Sequence, residues 1–196
     1  DEPCRGLIAG AAQWRLLSLL FERPRGDWSA QVAELAGSVE DEDLRALARQ
    51  AASEASEPHF LAVLGPGSDA SPREVAYRRL GDPGHLLAEL QSFYDAFAFH
   101  PQTEEPPDHV AVETAFVGFL MVKEAYARAA GNSEAASIAS EAAALFLREH
   151  LSAIAASLPA RLEPCAGSYL EGAARLLRMR VPFTPPMHPA PAGEEE

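Results

Sequence analysis

Pro106 and Pro107 stand side by side between two long apolar-rich segments and forbid a continuous helix there. Proline lacks the donor N–H and its ring clashes with the preceding turn; the residue before it is driven out of the α region. Glu105 to Pro107 must therefore be extended. Asp108 then stands where an N-cap belongs, which predicts a new helix from His109. The result is a stiff acidic elbow, Glu104-Glu105-Pro106-Pro107-Asp108, beside a histidine and between two helices. Charge concentrated on a rigid connector is where a helical protein can build a binding site.

On both sides of the elbow the sequence reads as helix. Alanine, leucine, glutamate and arginine dominate, and no segment sustains the period-two alternation of a strand. A first helix is expected from about Arg5 to Glu22, with Ile8, Ala12, Leu16, Leu19 and Leu20 on one face and Pro24 and Gly26 ending it. Asp27 is placed to cap a second over Trp28 to Ala36, and Asp41 a third over Glu42 to Ser56. Pro58 to Gly84 is turn-rich, with Ser71, Pro72 and Glu74 spaced as a capping box for a short helix to about Leu80. A helix over His85 to Phe99 carries Phe93, Tyr94, Phe97 and Phe99. After the elbow, His109 to about Ala130 is apolar nearly all round, so it should be the central helix; Gly131-Asn132 stops it. Ser133 caps a long helix to about Leu158, and Pro164 opens the last, which ends near Arg180. The fold class is all-α, a single-domain bundle of about seven to ten helices over residues 1–181. Residues 100–108 form a hinge between its halves, and the Pro- and Glu-rich tail 182–196 should be disordered.

The net charge of −13 argues against nucleic acid as a partner, because phosphates require a basic patch. It likewise disfavours an anionic membrane surface. A basic partner is compatible with it, and so is plain solubility. No apolar stretch reaches the roughly 20 uninterrupted residues of a membrane span, so no stable insertion is expected. Cys4 and Cys165 read as two reduced thiols, and no leader is visible at the start, so a cytoplasmic protein is the expectation.

Signatures of catalysis are absent: no phosphate loop, dinucleotide fingerprint, nucleophile elbow or His-Glu-x-x-His pair. The cysteines lack the paired spacing of a zinc or redox site, and Glu149-His150 lacks the Glu-x-x-His spacing of a di-iron bundle. The expectation is a non-enzyme without a metal or permanently bound cofactor. Two constellations remain. One is Glu104, Glu105, Pro107, Asp108, His109 and, one turn on, Glu113. It reads either as a socket for a cationic group or as a self-capped helix start in which His109 bonds a neighbouring carbonyl. The other is Phe93, Tyr94, Phe97, Phe116 and Phe119, either core between two antiparallel helices or a groove for a partner's amphipathic segment.

Four stretches, taken in order, resemble the TorD/DmsD/NarJ superfamily of chaperones for molybdenum oxidoreductases. They are Trp14 to Pro24; Leu64-Gly65-Pro66 with Ser71-Pro72-Arg73-Glu74-Val75-Ala76-Tyr77; Phe93-Tyr94-Asp95-Ala96-Phe97 with Glu105-Pro106-Pro107-Asp108-His109 and Glu113; and Phe146 to Leu151 with Tyr169 and Ala173 to Leu177. Ser92, Leu64 and Gly118-Phe119-Leu120 depart from the family pattern. The loop spacing looks most like the subgroup serving periplasmic dehydrogenases and oxyanion reductases. The resemblance implies a cytoplasmic chaperone that binds the twin-arginine leader or the apo catalytic subunit of a molybdopterin oxidoreductase until its cofactor is inserted. The client, not the chaperone, carries the molybdopterin guanine dinucleotide. On that reading the elbow and the aromatic set hold the client, and the chain is a monomer or a hinge-swapped homodimer. Other readings from the same residues are a helical ligand-binding or regulatory domain without such a client, and a weak GTP-binding protein.

Overall fold

The computed structural model describes residues 2–78 and 82–182. Among them lie nine α-helices and no strand: α1 (Glu2–Leu20), α2 (Trp28–Gly37), α3 (Glu42–Glu54), α4 (Glu57–Leu64), α5 (Pro83–Ala96), α6 (Val110–Ala129), α7 (Ser133–Phe146), α8 (Ser152–Leu162) and α9 (Tyr169–Arg180). The all-α bundle is as the sequence predicts. The C-terminal stretch 183–196 lies outside the described residues.

Helix α6 is central, as its all-round apolar character requires. Its N-terminal half is buried from Val110 to Thr114 and again at Phe116, Val117 and Gly118. Helix α1 packs along it in the most extensive helix pair of the fold. Gly118 sets how closely they approach: a Cβ there would lie 3.1 Å from the Ala11 carbonyl oxygen and 3.2 Å from Trp14 Cβ. On α1, Leu16, Leu17, Leu20 and the following Phe21 are fully buried, each contributing about 1.5–3 kcal/mol. Helix α7 covers another side of α6, while α2, α3 and α9 pack on α1 and α8 packs on α9, so elements from both sides of the elbow share one core. The stripe expected on α1 is only partly covered. Its N-terminal member Ile8 is 49% exposed, which leaves a groove described below.

Several boundaries differ from the sequence reading, each for a local reason. Residues Glu57–Leu64 form α4 inside the stretch expected to be turns. Pro58 sits in its first turn, where no N–H is required, and Ser56 Oγ accepts from the His59 amide at 3.4 Å. The capping box at 71–74 does not form. Ser71 Oγ accepts from the Arg73 amide, and Glu74 turns inward, leaving only a 3₁₀ turn over Glu74–Tyr77. Asp41 caps α3 as expected, accepting from Leu44 N at 2.9 Å, but Asp27 makes no cap bond and instead accepts from Gln31 Nε2. Asn132, not Ser133, caps α7, and Ser168 rather than Pro164 opens α9.

Helix α5 ends at Ala96. Ala98 adopts φ 53°, so the Phe99 amide returns to the Tyr94 carbonyl at 2.8 Å and Phe99 folds into the core. The long helix expected over 133–158 is interrupted by one π turn, Leu147–Leu151. That wider turn accommodates an extra residue and turns His150 fully inward.

Candidate functional site

The elbow and the loop 71–78 are stitched together by backbone and side chain. They form one antiparallel bridge, Arg73 with His109. The Glu74 amide donates to the Asp108 carbonyl and the Val110 amide to the Pro72 carbonyl, both at 2.8 Å. Asp108 completes the seam. Its buried carboxylate accepts from Arg73 Nε at 2.9 Å and Nη2 at 2.7 Å, and from the Val75 amide at 3.4 Å. It therefore does not cap α6, contrary to expectation, because a guanidinium offers two charge-assisted bonds where a helix end offers one amide. His109 is the cap: its Nδ1 accepts from Ala111 N at 3.1 Å. The alternative of a histidine bonded to a neighbouring carbonyl is corrected by the same contact.

With Nδ1 an acceptor, the imidazole proton sits on Nε2, 3.7 Å from Glu105 Oε2. Burial, and then Arg73, lower the His109 pKa to about 3, so the ring is neutral near pH 7. Glu105 is half-buried. Burial pushes its carboxyl above the usual range, and the Arg23 guanidinium counters that push.

Behind the seam lies a buried polar centre assembled from distant parts of the chain. Glu74, fully buried, is paired with Arg78 and lies 3.3 Å from His150 Nδ1. Glu113, one turn into α6, faces Glu74. Burial, then the Glu74 and Asp108 carboxylates, hold its pKa well above the ordinary range, so it keeps its proton. Tyr94 Oη donates to the Pro107 carbonyl at 2.8 Å, tying α5 to the elbow. Around these groups the rings of Tyr94, Phe99, Phe116 and Phe146 pack edge-on or tilted, the Phe116–Phe146 centroids 4.8 Å apart. The His150 ring continues the stack against Phe93 and Phe146.

Two cavities flank the elbow. An apolar groove of about 440 Å³ runs between α1 and α6, walled by Ile8, Ala12, Phe99, Ala115, Phe119 and Val122. Glu22 and Arg15 line it as well, together with Gln102 and Thr103, which lead directly into Glu104. A second cavity of about 480 Å³ has Phe60, Leu61 and Leu64 of α4 on one wall and Glu105, Pro106, His109, Arg23 and Arg73 on the other. The elbow lines the second cavity, and the segment that leads into it, Gln102 and Thr103, lines the first.

A sequence model of the family described as "Nitrate reductase delta subunit" matches residues 26–158, more than half of the chain and all of the elbow. The chain belongs to that family. Membership places it in the TorD/NarJ superfamily of redox-enzyme maturation chaperones and supports a role in molybdoenzyme maturation as a chaperone, not a catalyst. No curated protein matches the chain. No described helix is long and apolar enough to cross a membrane.

Within this family member the expected site residues divide into two groups. Asp108, His109, Glu113, Tyr94 and Phe116 are at most 2% exposed and form the seam and the core behind it. Glu104 is fully exposed, Glu105 and Pro107 are partly exposed, and Phe93 and Phe97 are half-buried. The apolar groove is accordingly not the one expected between α5 and α6; it lies between α1 and α6. Four residues of the seam and the polar centre are absent from the sequence-predicted site: Arg73, Glu74, Arg78 and His150. Three of them stand in motifs already singled out. Glu74 was assigned to a cap and His150 weighed as half of a metal pair, and Arg73 was passed over beside them. Among the described residues no group of side chains is arranged to hold a metal ion.

Proposed function

We propose that this chain binds the twin-arginine leader, or the leader-proximal part, of an apo molybdopterin oxidoreductase in the cytoplasm, keeping it from export until the cofactor is inserted. The observation that carries this reading is the continuity of an acidic rim with an apolar groove. Glu22, paired with Arg15, lies at the groove, Glu104 and Glu105 follow it along the elbow, and Ile8, Phe119 and Val122 extend beyond. A segment with paired cations followed by an apolar stretch is complementary to that order of charge and apolar surface. Micromolar affinity requires only about −8 kcal/mol, within reach of two charge-assisted bonds and a buried apolar anchor after ordering costs. The chaperone itself carries no permanent cofactor on this reading; the client holds the molybdopterin guanine dinucleotide.

The test is titration of the chain with a synthetic Arg-Arg peptide bearing a leucine-rich segment. Ile8→Glu with Val122→Glu is the groove variant, since these side chains are 49% and 44% exposed and their replacement leaves the core intact. Binding is expected to weaken at least tenfold at unchanged melting temperature. Equal affinity for both proteins would remove the groove from the reading.

A further inference from the structure

Besides Arg15, which pairs with Glu22 at 2.6 Å, the acidic rim holds two further cations, and the chain itself supplies them. Arg23 and Arg25 flank Pro24 just past the end of α1. Arg25 Nε donates to Glu57 Oε1 at 2.6 Å, and its Nη1 lies 3.9 Å from Glu104 Oε2. Arg23 Nη1 lies 3.6 Å from the same Glu57 oxygen, and both guanidiniums act on Glu105. A short basic segment thus bridges α4 and the elbow over three carboxylates.

Its grip is incomplete. Arg23 Nε is buried without a hydrogen-bond partner, two of the three contacts exceed 3.5 Å, and the Glu104 side chain stays 97% exposed. Beside it, His109 is 2% exposed and lines the elbow cavity; its Nε2–H has Glu105 at 3.7 Å, beyond hydrogen-bond reach. A buried donor facing a cavity is suited to a carbonyl of an incoming chain. The site therefore holds its own cations loosely and keeps an imidazole N–H without a hydrogen bond.

We propose that Arg23-Pro24-Arg25 is an internal stand-in for the client's paired cations, occupying Glu57, Glu104 and Glu105 until a client segment displaces it. The proposal rests on the function proposed above and adds its control. A client must bring two cations to replace the two it removes; one that brings fewer leaves a carboxylate unpaired or an internal arginine in place. Specificity for an arginine pair then comes from competition as well as attraction. Exposed ion pairs of this geometry are weak, so the competition sets a threshold of a few-fold per arginine and does not block the site.

The experiment measures fluorescence anisotropy of the full chain with the Arg-Arg peptide, and with the same peptide carrying Gln-Gln. Arg23→Gln with Arg25→Gln is expected to tighten Arg-Arg binding about five- to tenfold, from two weak pairs lost to the competitor, and to leave Gln-Gln binding unchanged. Glu57→Gln, Glu104→Gln and Glu105→Gln together are expected to weaken Arg-Arg binding by at least that factor. If the glutamine-for-glutamate variant weakens binding while the arginine variant matches the parent or binds less well, the stand-in is wrong and the client site stands. If the glutamate replacements change nothing, the acidic socket itself is wrong. Arg25→Gln alone, at a side chain 52% exposed, covers the event that the double variant fails to fold, and at least a twofold tightening is expected.

Discussion

Replacing Glu113 by glutamine removes one titratable proton from the centre of the protein and almost nothing else. The carboxyl is fully buried, and its folded pKa is raised well above the ordinary glutamate value of 4.5, first by burial and then by Glu74 and Asp108. The folded state therefore binds this proton where the unfolded chain has released it. Stability falls as pH rises from 4.5 toward the folded value, by up to about 1.4 kcal/mol per pH unit. His109 acts in the opposite sense. Its pKa drops from 6.5 to about 3, so stability rises with pH between those values. The two slopes oppose each other only where they overlap, above pH 4.5 and no higher than 6.5, and the His109 slope is common to both proteins. Urea unfolding followed upward from pH 4.5 should show the parent losing, relative to the variant, up to about 1.4 kcal/mol per unit until the folded pKa is passed. The Glu113→Gln chain should lack that slope, lose about 1 kcal/mol or less at the acid end, and overtake the parent at the alkaline end. Contributions of groups that do not touch Glu113, Glu105 included, cancel in the difference between the proteins. A loss of more than about 3 kcal/mol at pH 7, with the parent's slope retained, would refute the reasoning. It would mean that Glu113 is charged and paired with a cation.

Asp108→Ala is expected to cost about 2–4 kcal/mol in urea unfolding, because it strips Arg73 of its partner and opens the seam; a loss under about 1 kcal/mol would show the seam to be dispensable. Ala98→Gly should stabilise by up to about 1 kcal/mol, visible as a small rise in melting temperature, since φ 53° is strained for alanine and not for glycine. An unchanged or lower melting temperature would place the gain in the unfolded chain's entropy instead.

Much of the bundle was legible because helices announce themselves locally. The apolar periodicity of α6, the cap at Asp41 and the stop at Gly131 all act within one or two turns. Three features are not local. Pro58 reads as a breaker or as a first-turn residue, and only the packing of Phe60, Val63 and Leu64 decides for the helix. Asp108 has the right identity and spacing for a cap, yet Arg73, 35 residues earlier, outbids the amide. The π turn at Leu147–Leu151 leaves no compositional trace, because one inserted residue alters register without altering residue type. The candidate site was legible in part for the same reason. Its elbow is a proline signal. The identity of its groove depends on how much of α1 the rest of the bundle leaves uncovered, and on Gly118 letting the two helices approach. Family membership rests on the match to residues 26–158, which leaves out α1, one wall of that groove.

The π turn also fixes what kinds of length change this region can accept. Each residue of an α-helix advances the chain by about 100° around its axis, so deleting one residue from 147–151 would restore regular hydrogen bonding and swing all of α8 by that angle. Ile154, Leu158 and Leu162, now fully buried, would leave the core. Local regularity and global fit are in conflict here, and the fold has settled for fit. In this stretch an insertion or deletion is therefore a rotation before it is a change of length, and changes of three or four residues, which bring the face back nearly to where it began, are the ones the bundle can absorb.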